Sequence, residues 1–198
     1  MTDPRIVPAN TAPWQDLRTV WDDERDSRQC SCQYFTMDRA TWKSTTPTER
    51  AERMRERTCP GTPGSATTGL IAYIDDAPAG WVAVEPRTAY VRLRTARTPW
   101  LGRAEDKDDP SVWAITCFTV RTDFRGRGLT AALATAAVEF AREHGAAAVE
   151  GYPYVTQPGE TLTWGELYVG PVSAFEAAGM TEVSSPSTRR RVMRLEFA

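Results

Sequence analysis

Val112-Trp113-Ala114-Ile115-Thr116-Cys117-Phe118-Thr119-Val120, followed after Arg121 to Phe124 by Arg125-Gly126-Arg127-Gly128-Leu129-Thr130, is the stretch that decides the fold. Its first part is an apolar run of strand length. Beyond it, Leu129, Leu133, Ala136, Ala137, Phe140 and Ala141 place one apolar face along residues 129 to 144, a helix closed by Gly145. His144 sits at that helix end, where a cation complements the dipole. A strand at Ala146 to Tyr152 then runs parallel to the first, completing a β-α-β unit. Between strand and helix, two glycines let the chain turn with its N–H groups facing one concavity. That concavity opens onto a helix N-terminus, whose unpaired donors and dipole favour an anion. Arg125 and Arg127 add formal charge, so the turn reads as a pyrophosphate cradle.

Upstream, Gly69 to Ile74 and Gly80 to Glu85 are short apolar runs flanking Asp75-Asp76-Ala77-Pro78-Ala79, a hairpin. Residues 87 to 111 form a long polar connection with Asp106, Asp108 and Asp109. Nearer the N-terminus, Trp14, Leu17, Val20 and Trp21 recur at helical spacing over residues 13 to about 26. Thr46-Pro47-Thr48-Glu49 has the form of a capping box opening a helix through Arg57. Only Ala51 and Met54 anchor that helix, which belongs at a rim. Downstream, Tyr154 to Tyr168 is irregular and aromatic-rich, Val172 to Ala178 a short helix, and Met193, Leu195 and Phe197 one face of a final strand. The expected architecture is α/β, with a mixed sheet in which an antiparallel hairpin leads into a parallel pair. Residues 1–198 form one domain, in which 1–68 is a helical rim and 69–198 the sheet core.

Bulk properties narrow the function. With 198 residues, the chain can bury a core. Balanced charge (24 basic, 26 acidic residues, net −2) argues against nucleic acid as a partner. Nothing approaches the ~20 apolar residues of a membrane span, and the N-terminus lacks a signal-peptide pattern, so a cytoplasmic location with reduced cysteines is expected. One histidine removes Ser-His-Asp hydrolysis and multi-histidine metal sites. Gly126-x-Gly128-x-x-Ala131, with Glu150 downstream, also fits a dinucleotide fingerprint. However, Arg121 to Arg125 separate strand from glycine, and too little chain follows Glu150 for the remaining parallel strands. A Gly-Lys-Ser/Thr P-loop is absent.

Residues 112 to 153, and more loosely 69 to 197, resemble the GNAT superfamily of acyl-coenzyme A-dependent N-acetyltransferases. There the pattern Arg/Gln-x-x-Gly-x-Gly/Ala holds the coenzyme's pyrophosphate through main-chain amides; here it reads Arg125, Gly126, Arg127, Gly128, Leu129 and Thr130, with Thr130 departing from the usual small residue. The resemblance implies acetyl-CoA as co-substrate, a mostly antiparallel sheet with a central parallel pair splayed beside Val120, a coenzyme-binding core in 69–198 and a substrate rim in 1–68. It also implies that Phe118, Thr119 and Val120 form the edge that pairs with pantetheine, with an N–H near Phe118 polarising the acyl carbonyl. Phe175-Glu176-Ala177-Ala178-Gly179-Met180 resembles the family's late Tyr-x-x-x-Gly-Phe element. Phe175 stands where many members carry a tyrosine that protonates the departing thiolate, a proton phenylalanine cannot supply.

The implied reaction is direct attack of an amine on the thioester. Glu85, brought by antiparallel register beside the start of the Val112–Val120 strand, and Glu150, at the end of the parallel partner, are the candidates for general base. Tyr168 and Tyr152 are candidate proton donors. Cys117 in the core strand is read as a small hydrophobe rather than an acyl carrier. Cys30, Cys32 and Cys59 lack the spacing and the fourth ligand of a zinc site, so no metal is expected. Trp42, Trp100 and Trp164, outside the regular elements, could line a slot for a flat or apolar amine. The reading is an N-acetyltransferase of a small-molecule primary amine. A non-catalytic acyl-CoA-binding module and a protein N-acetyltransferase are the alternatives, and a homodimer is an open option.

Overall fold

The computed structural model describes residues 3–58, 64–65, 67–156 and 167–198. Strands β1 (Arg5–Pro8), β2 (Gly69–Ile74), β3 (Ala77–Pro86), β4 (Val112–Val120), β5 (Ala148–Gly151), β6 (Thr181–Ser187) and β7 (Arg190–Glu196) form one sheet. Its order is β1-β2-β3-β4-β5-β7-β6, antiparallel throughout except for the parallel β4–β5 pair. Helices are α1 (Trp14–Trp21), α2 (Arg25–Cys30), α3 (Arg39–Ser44), α4 (Pro47–Thr58), α5 (Arg97–Trp100), α6 (Leu129–Glu143) and α7 (Val172–Ala177). None of them is long and apolar enough to cross a membrane.

The central strands are apolar on both faces because both are covered. Leu70, Val82, Ile115 and Phe118 face α6, which presents Leu129, Leu133, Ala137 and Phe140. Ile71, Trp81, Ala83 and Cys117 face the other way, onto Leu17, Val20 and Trp21 of α1. The expected single helix over residues 13 to 26 is two. α1 ends at Trp21, and extended Glu24 precedes α2, because Asp23 is drawn onto the Thr122 amide and hydroxyl at 2.7 and 2.8 Å. The capping box forms as read: the Thr46 amide donates to Glu49 at 2.6 Å, and the Glu49 amide to the Thr46 hydroxyl at 3.3 Å. The hairpin turn is shorter than expected. Asp75 and Asp76 both adopt left-handed backbone (φ 49° and 61°), the geometry of a two-residue hairpin turn, so β3 begins at Ala77. Within the long connection, Arg87–Ala89 and Leu93–Thr95 form single 3-10 turns ahead of α5.

Two irregularities coincide at the middle of β4. Ala83 pairs with Cys117 but Val84 with Ile115, so Thr116 is an extra residue on β4. The parallel ladder with β5 stops at Ile115↔Gly151. The strands therefore separate from Thr116 onward, ahead of Val120.

Candidate active site

The cradle is built as its residues dictate. A 3-10 turn at Thr122–Phe124 leads into Gly126 (φ 72°) and Gly128 (φ 75°), the latter capping the N-terminus of α6. A methyl group added at either glycine would meet no protein atom within 4 Å. The left-handed backbone requires glycine there, and the space above it is open. That space is a hollow of about 300 Å³, walled by Val120, Phe124 and Thr130 on one side and by Pro171, Ser173 and Ala174 on the other. Its donors, shape and helix terminus fit a diphosphate. Arg125 is folded back: its Nε donates to the Val120 carbonyl at 3.1 Å, and its terminal nitrogen to Glu24 at 2.8 Å. Arg127 is exposed and lies against the Phe124 ring.

Beyond the cradle, the gap between β4 and β5 holds another part of the chain. The Phe118 amide donates to the Tyr168 carbonyl at 2.6 Å, and the Tyr154 amide to the Gly170 carbonyl at 3.1 Å. The N–H expected to polarise the acyl carbonyl is thus engaged by residues 168–170. Gly170 has φ 80°, and a Cβ there would lie 2.8 Å from Phe118 Cε2. Phe175 is fully buried at the root of this gap, edge-on to Phe118 at 5.8 Å, and a Cβ at Gly151 would overlap its ring.

The carboxylates have unlike surroundings. Glu150 has no exposed surface and is enclosed by Arg87 (3.1 Å), Arg103 and Arg194 (2.6 Å), with the Tyr152 hydroxyl donating at 2.9 Å. Burial alone would raise its pKa, but the three guanidiniums outweigh it and hold the carboxyl below its ordinary value. Tyr152, raised by burial and by that charge, stays protonated. Glu85 pairs with Ala114 in the ladder, as expected from register, and takes both oxygens to Arg57 at 2.8 Å. Burial pushes its pKa up despite the arginine.

On the face of β4 away from α6 lies a larger cavity of about 590 Å³. Cys117 and Thr119 form its floor, α2 supplies Asp26, Ser27 and Cys30, and Tyr34, Phe35, Trp42 and Tyr168 form an aromatic wall. The Ser27 and Thr119 hydroxyls meet at 3.3 Å. The Cys117 thiol is raised well above its ordinary range by its hydrogen bond to Cys32 and by burial, and burial pushes Cys30 to about 11. Burial likewise raises the Tyr168 hydroxyl. Neither Glu85 nor Glu150 borders this cavity. Trp42 does line it. Trp100 instead stacks on Arg87 and donates to the Leu93 carbonyl at 2.6 Å; Trp164 and Cys59 lie outside the described residues. Among those residues, no His, Cys, Asp and Glu side chains cluster as a metal site. Sequence reasoning missed Tyr34, Phe35 and Ser27, which carry no motif, and the Arg87–Glu150–Arg194 cluster, whose members are scattered over the chain.

A model of the acetyltransferase (GNAT) family matches residues 19–156. No curated protein matches the sequence. Among solved structures, the chain is similar to a GCN5-related N-acetyltransferase from Kribbella flavida (16% identity, 98% of each chain covered, TM-score 0.53). It is also similar to yncA from Salmonella typhimurium, solved with its cofactor acetyl-CoA (14% identity, 98% and 94% covered, TM-score 0.53). A third similar structure is the paia N-acetyltransferase from Thermoplasma acidophilum, in complex with coenzyme A (10% identity, 99% and 100% covered, TM-score 0.52). At these identities the structures speak for the fold, while the family match extends over most of the chain, from α1 to beyond β5. The cradle, the splay of β4 from β5 and that match agree: the chain is an acyltransferase and belongs to the acetyltransferase (GNAT) family.

Proposed function

We propose that this protein transfers the acetyl group of acetyl-CoA to the primary amine of a small molecule by direct attack. One observation carries the reading. The last residues of β4 adjoin both hollows: Val120 borders the diphosphate cradle, and Thr119 and Cys117 border the larger cavity. A thioester anchored at Gly126–Gly128 and laid along this edge brings its carbonyl to the floor of the second cavity.

In the proposed step, the amine lone pair adds to the thioester carbon, the C–S bond breaks, and the sulfur leaves as thiolate. The amine nitrogen loses one proton and the sulfur gains one. Tyr168 borders the cavity and keeps its proton at neutral pH. We assign it the donation to sulfur that Phe175, buried and without a hydroxyl, cannot make. Glu150, held ionised beneath three guanidiniums, is a poor proton acceptor and serves the fold. Glu85, with its raised pKa, is the better base of the two and would act through water, since it does not border the cavity.

The test is thiol release from acetyl-CoA across a panel of primary amines, together with calorimetric titration of acetyl-CoA. Binding near micromolar Kd and amine-dependent release are expected. Tyr168→Phe should lower kcat by about 10²-fold with little change in the KM for acetyl-CoA. Absence of binding to folded protein would sink the reading.

A further inference from the structure

The larger cavity carries more than its position. Four rings form one edge-to-face cluster: Tyr34 lies 5.2 Å from Phe35, 5.5 Å from Trp42 and 6.5 Å from Tyr168. Such a wall is apolar and rigid, and it prefers a flat partner stacked or edge-on. Cys30, Cys32 and Cys117 add soft, weakly polar surface.

The charges matter as much as the rings. Arg50 is the only cation bordering the cavity among the described residues, and four of its five N–H donors are engaged by the walls. Its guanidinium lies 3.7 Å above the Trp42 ring. Its nitrogens donate to the Thr45 hydroxyl and to the carbonyls of Gln29, Trp42 and Thr45, at 2.7 to 3.2 Å. It fastens α2, α3 and α4 together, its guanidinium held flat against the Trp42 ring and turned to main-chain carbonyls rather than to the cavity interior. Among the described residues Asp26 is the only carboxylate on the lining, and it is exposed. A buried ligand carboxylate would therefore be desolvated without a partner, and a hydroxyl-rich ligand would strand its polar groups against aromatic carbon. An amine approaching as a cation instead meets Asp26 before reaching the hydroxyls of Ser27 and Thr119.

Resting on the N-acetyltransferase reading above, we infer that the acceptor is an arylalkyl primary amine without a carboxylate. Its ring lodges among Tyr34, Phe35 and Trp42, and its nitrogen points to the Thr119 end of β4. These three rings stand before β2, and Tyr168 completes the wall against Tyr34 and Phe35. A cavity of this size lies within the usual range for small-molecule sites.

The experiment compares 2-phenylethylamine with phenylalanine, which adds a carboxylate to the same skeleton, and with glucosamine. For the wild type, kcat/KM for 2-phenylethylamine should exceed both by at least tenfold. Phe35→Ala should raise its KM tenfold or more, and Phe35→Leu, which keeps apolar bulk, by less. Acetyl-CoA binding by calorimetry should not change in either variant. Preference for phenylalanine or glucosamine overturns the inference and leaves the N-acetyltransferase reading standing. If no amine is acetylated while acetyl-CoA binds, the reaction has been misread, and calorimetric titration of 2-phenylethylamine decides the cavity. Binding that Phe35→Ala abolishes upholds the aryl site; no binding to wild type overturns it.

Discussion

Glu150 and Gly128 illustrate how differently a single residue can matter. Glu150 ionises in a space with no water contact because three guanidiniums surround it. Removing its charge leaves Arg87, Arg103 and Arg194 sharing the partly exposed Glu105, with Glu196 also on Arg194. Glu150→Gln should lower the unfolding free energy by about 1–3 kcal/mol, measured by urea denaturation at pH 7. The pH dependence follows from its depressed pKa: its stabilisation is present above the unfolded carboxyl value and is lost as pH falls through the lower folded value. The acid limb of the stability curve should flatten in the variant. A loss of turnover with unchanged stability would instead identify Glu150 as a participant in the chemistry. At Gly128 the balance is reversed. An alanine meets no protein atom, so Gly128→Ala should cost only about 1–2 kcal/mol of backbone strain. Its methyl group would stand in the diphosphate's space, and the KM for acetyl-CoA should rise at least tenfold.

At the scale of elements, the feature that decides access is the segment Leu167–Pro171 lodged between β4 and β5. The Tyr168 carbonyl holds the Phe118 amide, and Gly170 turns back onto Leu167 at 2.8 Å. If the pantetheine arm pairs with the β4 edge, as the family resemblance implies, that amide must exchange partners. Saturating acetyl-CoA should then speed hydrogen exchange in peptides spanning Leu167 to Val172 while slowing it across Arg125 to Thr130. Unchanged exchange at the first segment would mean that the carbonyl is polarised elsewhere. The β-α-β unit at the centre was legible because β4 and α6 are long and strongly patterned, and because glycine at positive φ has few substitutes at Gly126 and Gly128. β1 and β6 were not. β1 is a four-residue edge strand, and β6 reads Thr181-Glu182-Val183-Ser184-Ser185-Pro186-Ser187, polar and largely exposed, with pairing supplied wholly by β7. The larger, aromatic-walled cavity was barely legible. Trp42 drew notice as a loop aromatic, but Tyr34, Phe35 and Ser27 converge only through the turn at Ser31 and Cys32, whose positive φ values the sequence does not announce.

For the whole molecule, the question is whether residues before β2 form an appendage or part of one cooperative body. The contacts argue for the latter. Trp21 is fully buried between Trp14 and Trp81, with ring centroids at 5.7 and 5.1 Å. α1 thus covers the face of β2 and β3 that α6 leaves open. The same region reaches the end of β4 and the cradle through Asp23 on Thr122, Glu24 on Arg125 and Ser27 on Thr119. A sheet face holding Ile71, Tyr73, Trp81 and Ala83 could not remain folded in water without that cover. Unfolding in urea should therefore give one transition, coincident by tryptophan fluorescence and far-ultraviolet circular dichroism. Trp21→Ala should shift the whole transition, by about 3–5 kcal/mol, rather than split it. Two separated transitions, with the α6 side persisting after the tryptophans are exposed, would mean that the N-terminal helices fold as a separate layer. In that case the aromatic wall of the larger cavity could loosen without disturbing the cradle.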